Sequence, residues 1–381
     1  MIMDTLTLYY ATNRGHEGAN RWKPDRYGTK FSSDGAENLR FGKVSVNADK
    51  AKVTKLLART SAGGAGDGEA LAGYLTKQAK GATIAAFREV LSEKTGETEA
   101  KLGSAAMFDE VKGIMEKATD VLIFIHGFNV SWEAAVGSAL ALQAMLNRTE
   151  AGVPAQKTQV ILFTWPSDGM ALPWVSYKSD RTEASASGYA IGRGFLKLRD
   201  FLASLRDRAT REELCGQDIH LLCHSMGNYV LQNALERLGE FTPGTKLPRM
   251  FEHIFLCAPD VDDTVLEMGQ PMDDVQELGR CVTVYHNRGD VAMHVSDYTK
   301  GHPERLGGNG AARPSLLHNK VHQVDCTPVV TGAVEHSYHL CGLPNRDIRL
   351  SIAGADLADP RRNRVRDSDL PNVWRLPKAG G

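Results

Sequence analysis

The sequence has no apolar run approaching the roughly 18 residues that a membrane-crossing helix requires; the longest strand-like run covers only residues 121–125. A membrane span is therefore not expected. It also lacks a charge excess of either sign, with 45 basic and 46 acidic residues and a formal net charge of −1. That balance supplies no overall field to draw in nucleic acid or an anionic membrane, so a partner has to be recognised at a local site. No glycine-rich phosphate loop follows an early strand, which argues against nucleotide binding by a doubly wound sheet. The start, Met-Ile-Met-Asp-Thr-Leu-Thr-Leu, places Asp4 where a secretory signal needs positive charge and alternates as a strand does, so it is read as retained and structural. Cysteine is sparse and dispersed, at Cys215, Cys223, Cys257, Cys281, Cys326 and Cys341, several of them in strand-like runs. Reduced core thiols in the cytoplasm suit that distribution better than a disulfide framework does. There is no internal repeat.

What is present is a chain of 381 residues, 42% hydrophobic and 24% charged, long enough for one catalytic core with embellishments. After the N-terminal strand, the glycine-bearing stretch 11–39 is expected to be a long ordered loop or hairpin, 40–46 a strand, and 61–68 a surface loop. Two helices are expected next, one with Ile84, Phe87, Val90 and Leu91 on a shared face, the other with Phe108, Val111 and Met115. From residue 121 the pattern becomes short, fully apolar strands at 121–125, 160–164, 219–223, 253–257 and 281–285, with a shorter one at 321–324. A long helix carrying Ile191, Phe195, Leu198, Leu202 and Leu205 crosses over between the second and third. Apolar strands separated by helices predict an α/β fold whose mostly parallel central sheet is covered on both faces. The expected division is 1–115 as N-terminal strands and helices packed on the core, 116–345 as the core, and 346–381 as a polar extension, solvated or docked. The stretch 166–188, with Trp174, Tyr177 and Asp180, reads equally as a lid or as a connecting loop.

The sharpest local signal is Leu-Leu-Cys-His-Ser-Met-Gly at 221–227, an apolar strand that breaks at a serine and leads at once into an amphipathic run. A serine on so tight a strand-to-helix turn is held outward as a nucleophile, and Gly227 supplies a small position the close approach demands. Cys223 takes the other small position, where glycine is usual. Its side chain is compact enough to fit.

Ser225 needs a base to take its proton, and the base needs an acid to orient it. Acids at the carboxyl ends of strands after the serine are Asp290, following 281–285, and Asp260, following 253–257; Asp290, after the second strand beyond the serine, is preferred. For the base, chain order points past the last strand to His336, with His339 as the alternative. Oxyanion donors are expected at the N–H of Met226 and, from the turn His126-Gly-Phe-Asn that ends 121–125, at the N–H of Phe128. His318 and His322 are four apart with Asp325 nearby, yet the segment reads as strand, so the spacing does not put both rings on one face. Neither a metal nor another cofactor is expected.

With these pieces in place the chain resembles the α/β-hydrolase superfamily, and within it a bacterial esterase/lipase-like family of poorly defined function. The resemblance is carried by His126-Gly-Phe-Asn-Val130, Thr164-Trp-Pro-Ser-Asp168, His220-Leu-Leu-Cys-His-Ser-Met-Gly-Asn228, Ala258-Pro-Asp-Val-Asp262 and His336-Ser-Tyr338. It extends over about residues 115–340, with weaker echoes in 11–14 and 39–42. It implies a Ser225, Asp290 and His336 triad with Phe128 and Met226 as oxyanion donors, and leaves the substrate open. The function expected is that of a carboxylesterase-like serine hydrolase acting on a small-molecule ester. Acyl transfer, thioester or amide hydrolysis through the same acyl-enzyme, and a non-catalytic scaffold, are the alternatives. Oligomeric state is not readable from the sequence.

Overall fold

The computed structural model describes residues 2–61, 64–88, 103–115, 117–167, 173–208, 218–244, 247, 249–293, 304–330 and 336–378. Its strands in chain order are β1 (Met3–Thr12), β2 (Arg14–Glu17), β3 (Arg26–Phe31), β4 (Arg40–Asp49), β5 (Thr60–Ser61), β6 (Gly64–Ala65), β7 (Thr83–Ala86) and β8 (Asp120–Ile125). There follow β9 (Thr158–Thr164), β10 (Asp218–His224), β11 (Phe251–Cys257), β12 (Gly279–His286), β13 (Val321–Asp325), β14 (Val365–Arg366) and β15 (Val373–Arg375). Eleven of these form one sheet in the order β14-β15-β13-β12-β11-β10-β8-β9-β1-β4-β7. From β1 through β15 neighbouring strands run parallel, and antiparallel pairs close the two margins.

Consecutive side chains on these strands point to opposite faces, and both faces are covered, which is why the core strands are apolar at nearly every position. Val121, Ile125, Leu221, Cys223, Ile254 and Leu256 pack in one core with helices α3 (Gly103–Met115), α5 (Pro173–Arg208) and α6 (Gly227–Phe241). Leu122, Phe124, Leu222, Phe255 and Cys257 pack in the other, beneath α2 (Gly68–Ala79), α4 (Trp132–Leu146) and the helix Gly342–Ile352; α1 (Lys50–Leu57) lies at the margin. Ser131 caps α4 by accepting the Ala134 N–H, and Asp67 caps α2 by accepting that of Ala70.

The expected α/β fold with a mostly parallel, doubly covered sheet is the fold observed. Several local expectations differ. The helix expected around Ile84 and Phe87 is instead strand β7, whose Ile84 pairs with Val44 at the sheet margin; Val90 and Leu91 lie outside the described residues. The polar stretch 11–39 contains a hairpin of β2 and β3. Strand β1 pairs with β9 and so continues the central sheet. Residues 173–187, expected as lid or loop, form the opening turns of α5, while 168–172 lie outside the described residues. Cys215 does too.

The C-terminal extension is docked. Its Arg362 is buried, donating from Nε and Nη2 to the fully buried Asp347 at 2.7 and 3.0 Å, and Tyr285 of β12 donates to the same carboxylate at 2.7 Å. Two short strands, β14 and β15, then add to the sheet beside β13. Among the described residues no helix is long and apolar enough to cross a membrane.

Candidate active site

Strands β8 and β10 are neighbours, yet the chain leaves β8 for α4 on one face and leaves β10 for α6 on the other. The connections diverge here, opening a crevice at the strands' carboxyl ends, where open α/β sheets hold their ligands. Ser225 stands at the end of β10, and the turn 126–129 stands at the end of β8.

Ser225 has φ +52°, a left-handed backbone that a non-glycine residue adopts at a cost. Three sets of bonds hold it there. Its N–H donates to the Cys257 carbonyl at 2.9 Å, its carbonyl accepts from the Asn228 and Asp260 N–H groups at 3.0 and 3.2 Å, and the buried Asn228 side chain donates to the Cys223 and Ser225 carbonyls at 3.1 and 3.0 Å. Close approach does the rest. A Cβ on Gly227 would sit 2.6 Å from the Ile125 carbonyl oxygen, and one on Gly127 would sit 2.7 Å from the Ser225 Cβ. Only glycine at both positions lets the β8 turn and the head of α6 touch. Cys223 is wholly buried in the core on the α6 side of the sheet, as its compact side chain permits.

The Asp290 carboxylate accepts from His336 Nδ1 at 2.7 Å, from the Tyr338 hydroxyl, and from the N–H groups of Ala292 and Met293 at 2.9 and 3.3 Å. Burial favours its neutral form, but the His336 bond and charge, then the Tyr338 bond and the Met293 N–H, outweigh burial and hold its pKa below the usual carboxylate value. A carboxylate can only accept, so Nδ1 carries a proton, and the neutral form of the ring offers Nε2 as an acceptor. No hydrogen bond joins Ser225 Oγ to the His336 ring.

The side chains of the two alternatives from the sequence have other surroundings. His339 is buried with its ring 4.6 Å from that of His224, and burial followed by the nearby His336 charge brings its pKa down to about 3. It packs as a neutral core ring. Asp260 accepts from the Tyr177 hydroxyl at 2.8 Å and lies 3.5 Å from the guanidinium of buried Arg305. That network walls the crevice, since the Tyr177 ring meets Phe128 edge-on at 5.5 Å.

Three contributors escaped the sequence reading. His224 donates from Nε2 to the main-chain carbonyl of His336 at 3.1 Å, tying the residue before the serine to the His336 backbone. Burial, then repulsion from His339 and His336, pushes its pKa down, so it is neutral. His126 lies beneath the β8 turn, neutral because burial and then Arg14 lower its pKa to about 3. Its Nδ1 donates to the Gly127 carbonyl at 2.8 Å, and its Nε2 faces the Thr164 hydroxyl at 2.9 Å. Arg14, fully buried, donates to Thr164 Oγ1 at 2.9 Å, to the Gly28 carbonyl at 3.0 Å and to the Val130 carbonyl at 2.7 Å. The Asn129 N–H is drawn to Asp180 at 3.1 Å, and the Val130 N–H to Ser167 at 3.1 Å. The turn is thus pinned from below while, among the described residues, the N–H groups of Phe128 and Met226 have no protein acceptor. The only signal for Arg14 was its place in Ala-Thr-Asn-Arg; its guanidinium acceptors at Gly28, Val130, Thr164 and Ser167 lie 14 to 153 positions away.

Residues 105–344 match the family model described as "Alpha/beta hydrolase of unknown function (DUF900)". No curated protein sequence matches the chain. Among solved structures, phospholipase PlaB from Legionella pneumophila in complex with thio-NAD aligns with 15% identity and a TM-score of 0.21, over 56% of this chain and 39% of that one.

Proposed function

Because the chain belongs to this family of alpha/beta hydrolases of unknown function, we propose that it is a serine hydrolase cleaving a carboxylic ester, with Ser225 as nucleophile, His336 as base, Asp290 as orienting acid and the N–H groups of Phe128 and Met226 as oxyanion donors. The observation that carries this reading is the bond from Asp290 to His336 Nδ1, at the same end of the sheet as a serine held at φ +52°. Ser225 Oγ attacks the ester carbonyl carbon as its proton passes to His336 Nε2, and Asp290 stabilises the resulting imidazolium. Negative charge on the carbonyl oxygen is met by the two N–H groups. Collapse of the tetrahedral intermediate breaks the carbon–oxygen bond to the alcohol, which leaves with the proton from His336. Water, deprotonated by His336, then releases the acid and restores Ser225. The pinned β8 turn supports this assignment, since oxyanion donors act by being in place before charge develops.

Turnover of short-chain nitrophenyl esters tests it. Ser225→Ala should lower kcat by on the order of 10⁴- to 10⁶-fold with the fold intact. Undiminished turnover in that variant rules out the serine mechanism.

A further inference from the structure

His224 is the last residue of β10 and the chain neighbour of Ser225. Alternation along the strand turns its side chain to the face that carries Leu222 and Phe255, where Tyr338 and Leu340 also pack. There the ring meets two further parts of the candidate site. Its Nε2 donates to the His336 carbonyl at 3.1 Å, and the two imidazole centroids lie 4.8 Å apart. Its Nδ1 lies against the β8 turn, 3.3 Å from where a Cβ on Gly127 would stand. One ring, 8% exposed, is thus next to the serine in sequence and to the glycine turn and His336 in space.

The contact matters because of where His336 is otherwise fastened. Its side chain is bonded to Asp290, which lies beyond the end of β12, and β11 separates β12 from β10. A bond at Nδ1 alone leaves the ring able to swing about that bond, which moves Nε2 toward or away from Ser225. Among the described residues, the bond from His224 is the one hydrogen bond joining the turn 223–228 to the segment 336–340. It holds the His336 backbone, so the ring is fastened at two points. The carbonyl can only accept, so His224 Nε2 carries a proton. Burial, then repulsion from His339 and His336, keeps the ring neutral, so that proton is its only one.

We propose that His224 is a positioning residue that sets where the His336 ring stands relative to Ser225, an inference that rests on the reading of these two as base and nucleophile. His224 exchanges no proton with the ester, because its one ring proton is committed to the His336 carbonyl.

His224→Gln and His224→Met test the proposal in the full chain. Glutamine keeps an N–H donor at the end of its side chain, while methionine has similar length and no donor. On nitrophenyl esters His224→Met should lose about 100-fold in kcat with KM unchanged, the effect of misplacing a catalytic group by on the order of 1 Å. His224→Gln should recover most of that loss. Equal kinetics in wild type and His224→Met, or an equal loss in both variants, would overturn the proposal. Two NMR readouts need no turnover. Nitrogen-15 spectra of wild type should show His224 neutral with its proton on Nε2, and a proton on Nδ1 instead would overturn the proposal without any variant. The low-field resonance of the His336 Nδ1 proton shared with Asp290 should shift in His224→Met and return in His224→Gln; an unmoved resonance would overturn the proposal whether or not esters are cleaved. A wild type that cleaves no ester while both NMR readouts behave as expected would fault the ester reading and support the placement of His336 by His224.

Discussion

His336 Nδ1 lies 2.7 Å from Asp290 Oδ2, and the Tyr338 hydroxyl, two residues along, donates to the same oxygen. One segment therefore supplies two donors to a carboxylate that is only 1% exposed.

That arrangement sets a pH signature. Asp290 is held below its usual pKa in the fold, so its contribution to stability is fully present above the unfolded value of about 3.9 and is lost as pH falls through the lower folded value. Urea denaturation of wild type and Asp290→Asn should show a stability gap at pH 7 that narrows below about pH 4. On esters, the same variant should lose about 10⁴-fold in kcat.

Gly127 has its own test. An added Cβ would meet the Ser225 Cβ at 2.7 Å, and neither atom is the far end of a flexible side chain. Gly127→Ala should lower kcat/KM on nitrophenyl esters by about 100-fold through displacement of the elbow. Unaltered kinetics would mean that the turn and the serine are not in register.

Asn228 is wholly buried, and its side chain donates to the carbonyls of Cys223 and of the strained serine itself. Asn228→Ala should cost about 1–3 kcal/mol in denaturant unfolding, since two buried side-chain hydrogen bonds to those carbonyls are removed. A change inside experimental error would assign the elbow's support to its backbone bonds alone.

Arg362 tests the docking of the C-terminal extension. Replacing it by methionine leaves Asp347 buried with less of its compensation, and a loss of about 3–5 kcal/mol is expected. Calorimetric unfolding reads it directly.

The parts of this fold that could be read from sequence are those where local pattern and tertiary role agree. Apolar runs at 121–125 and 219–223 become buried parallel strands because both faces are covered. Ile84 and Phe87 have helical spacing, but pairing of Ile84 with Val44 prevails over that local signal. Residues 173–187 mix Ser, Lys, Asp, Arg, Thr and Glu without an apolar stripe, so their helix is invisible until α6 and the crevice flank it. Ser225, Gly127 and Gly227 could be placed because a tight turn constrains residue type locally. Arg14, His126 and His224 could not, since each acts through partners remote in sequence or through a neutral state that only burial creates.

The most direct test of the central claim is labelling of the folded protein with a fluorophosphonate, followed by peptide mass spectrometry. The expected result is one adduct, on Ser225, lost in Ser225→Ala and strongly slowed in His336→Ala. A folded protein that takes up no probe, or takes it up at another serine, would contradict an activated Ser225.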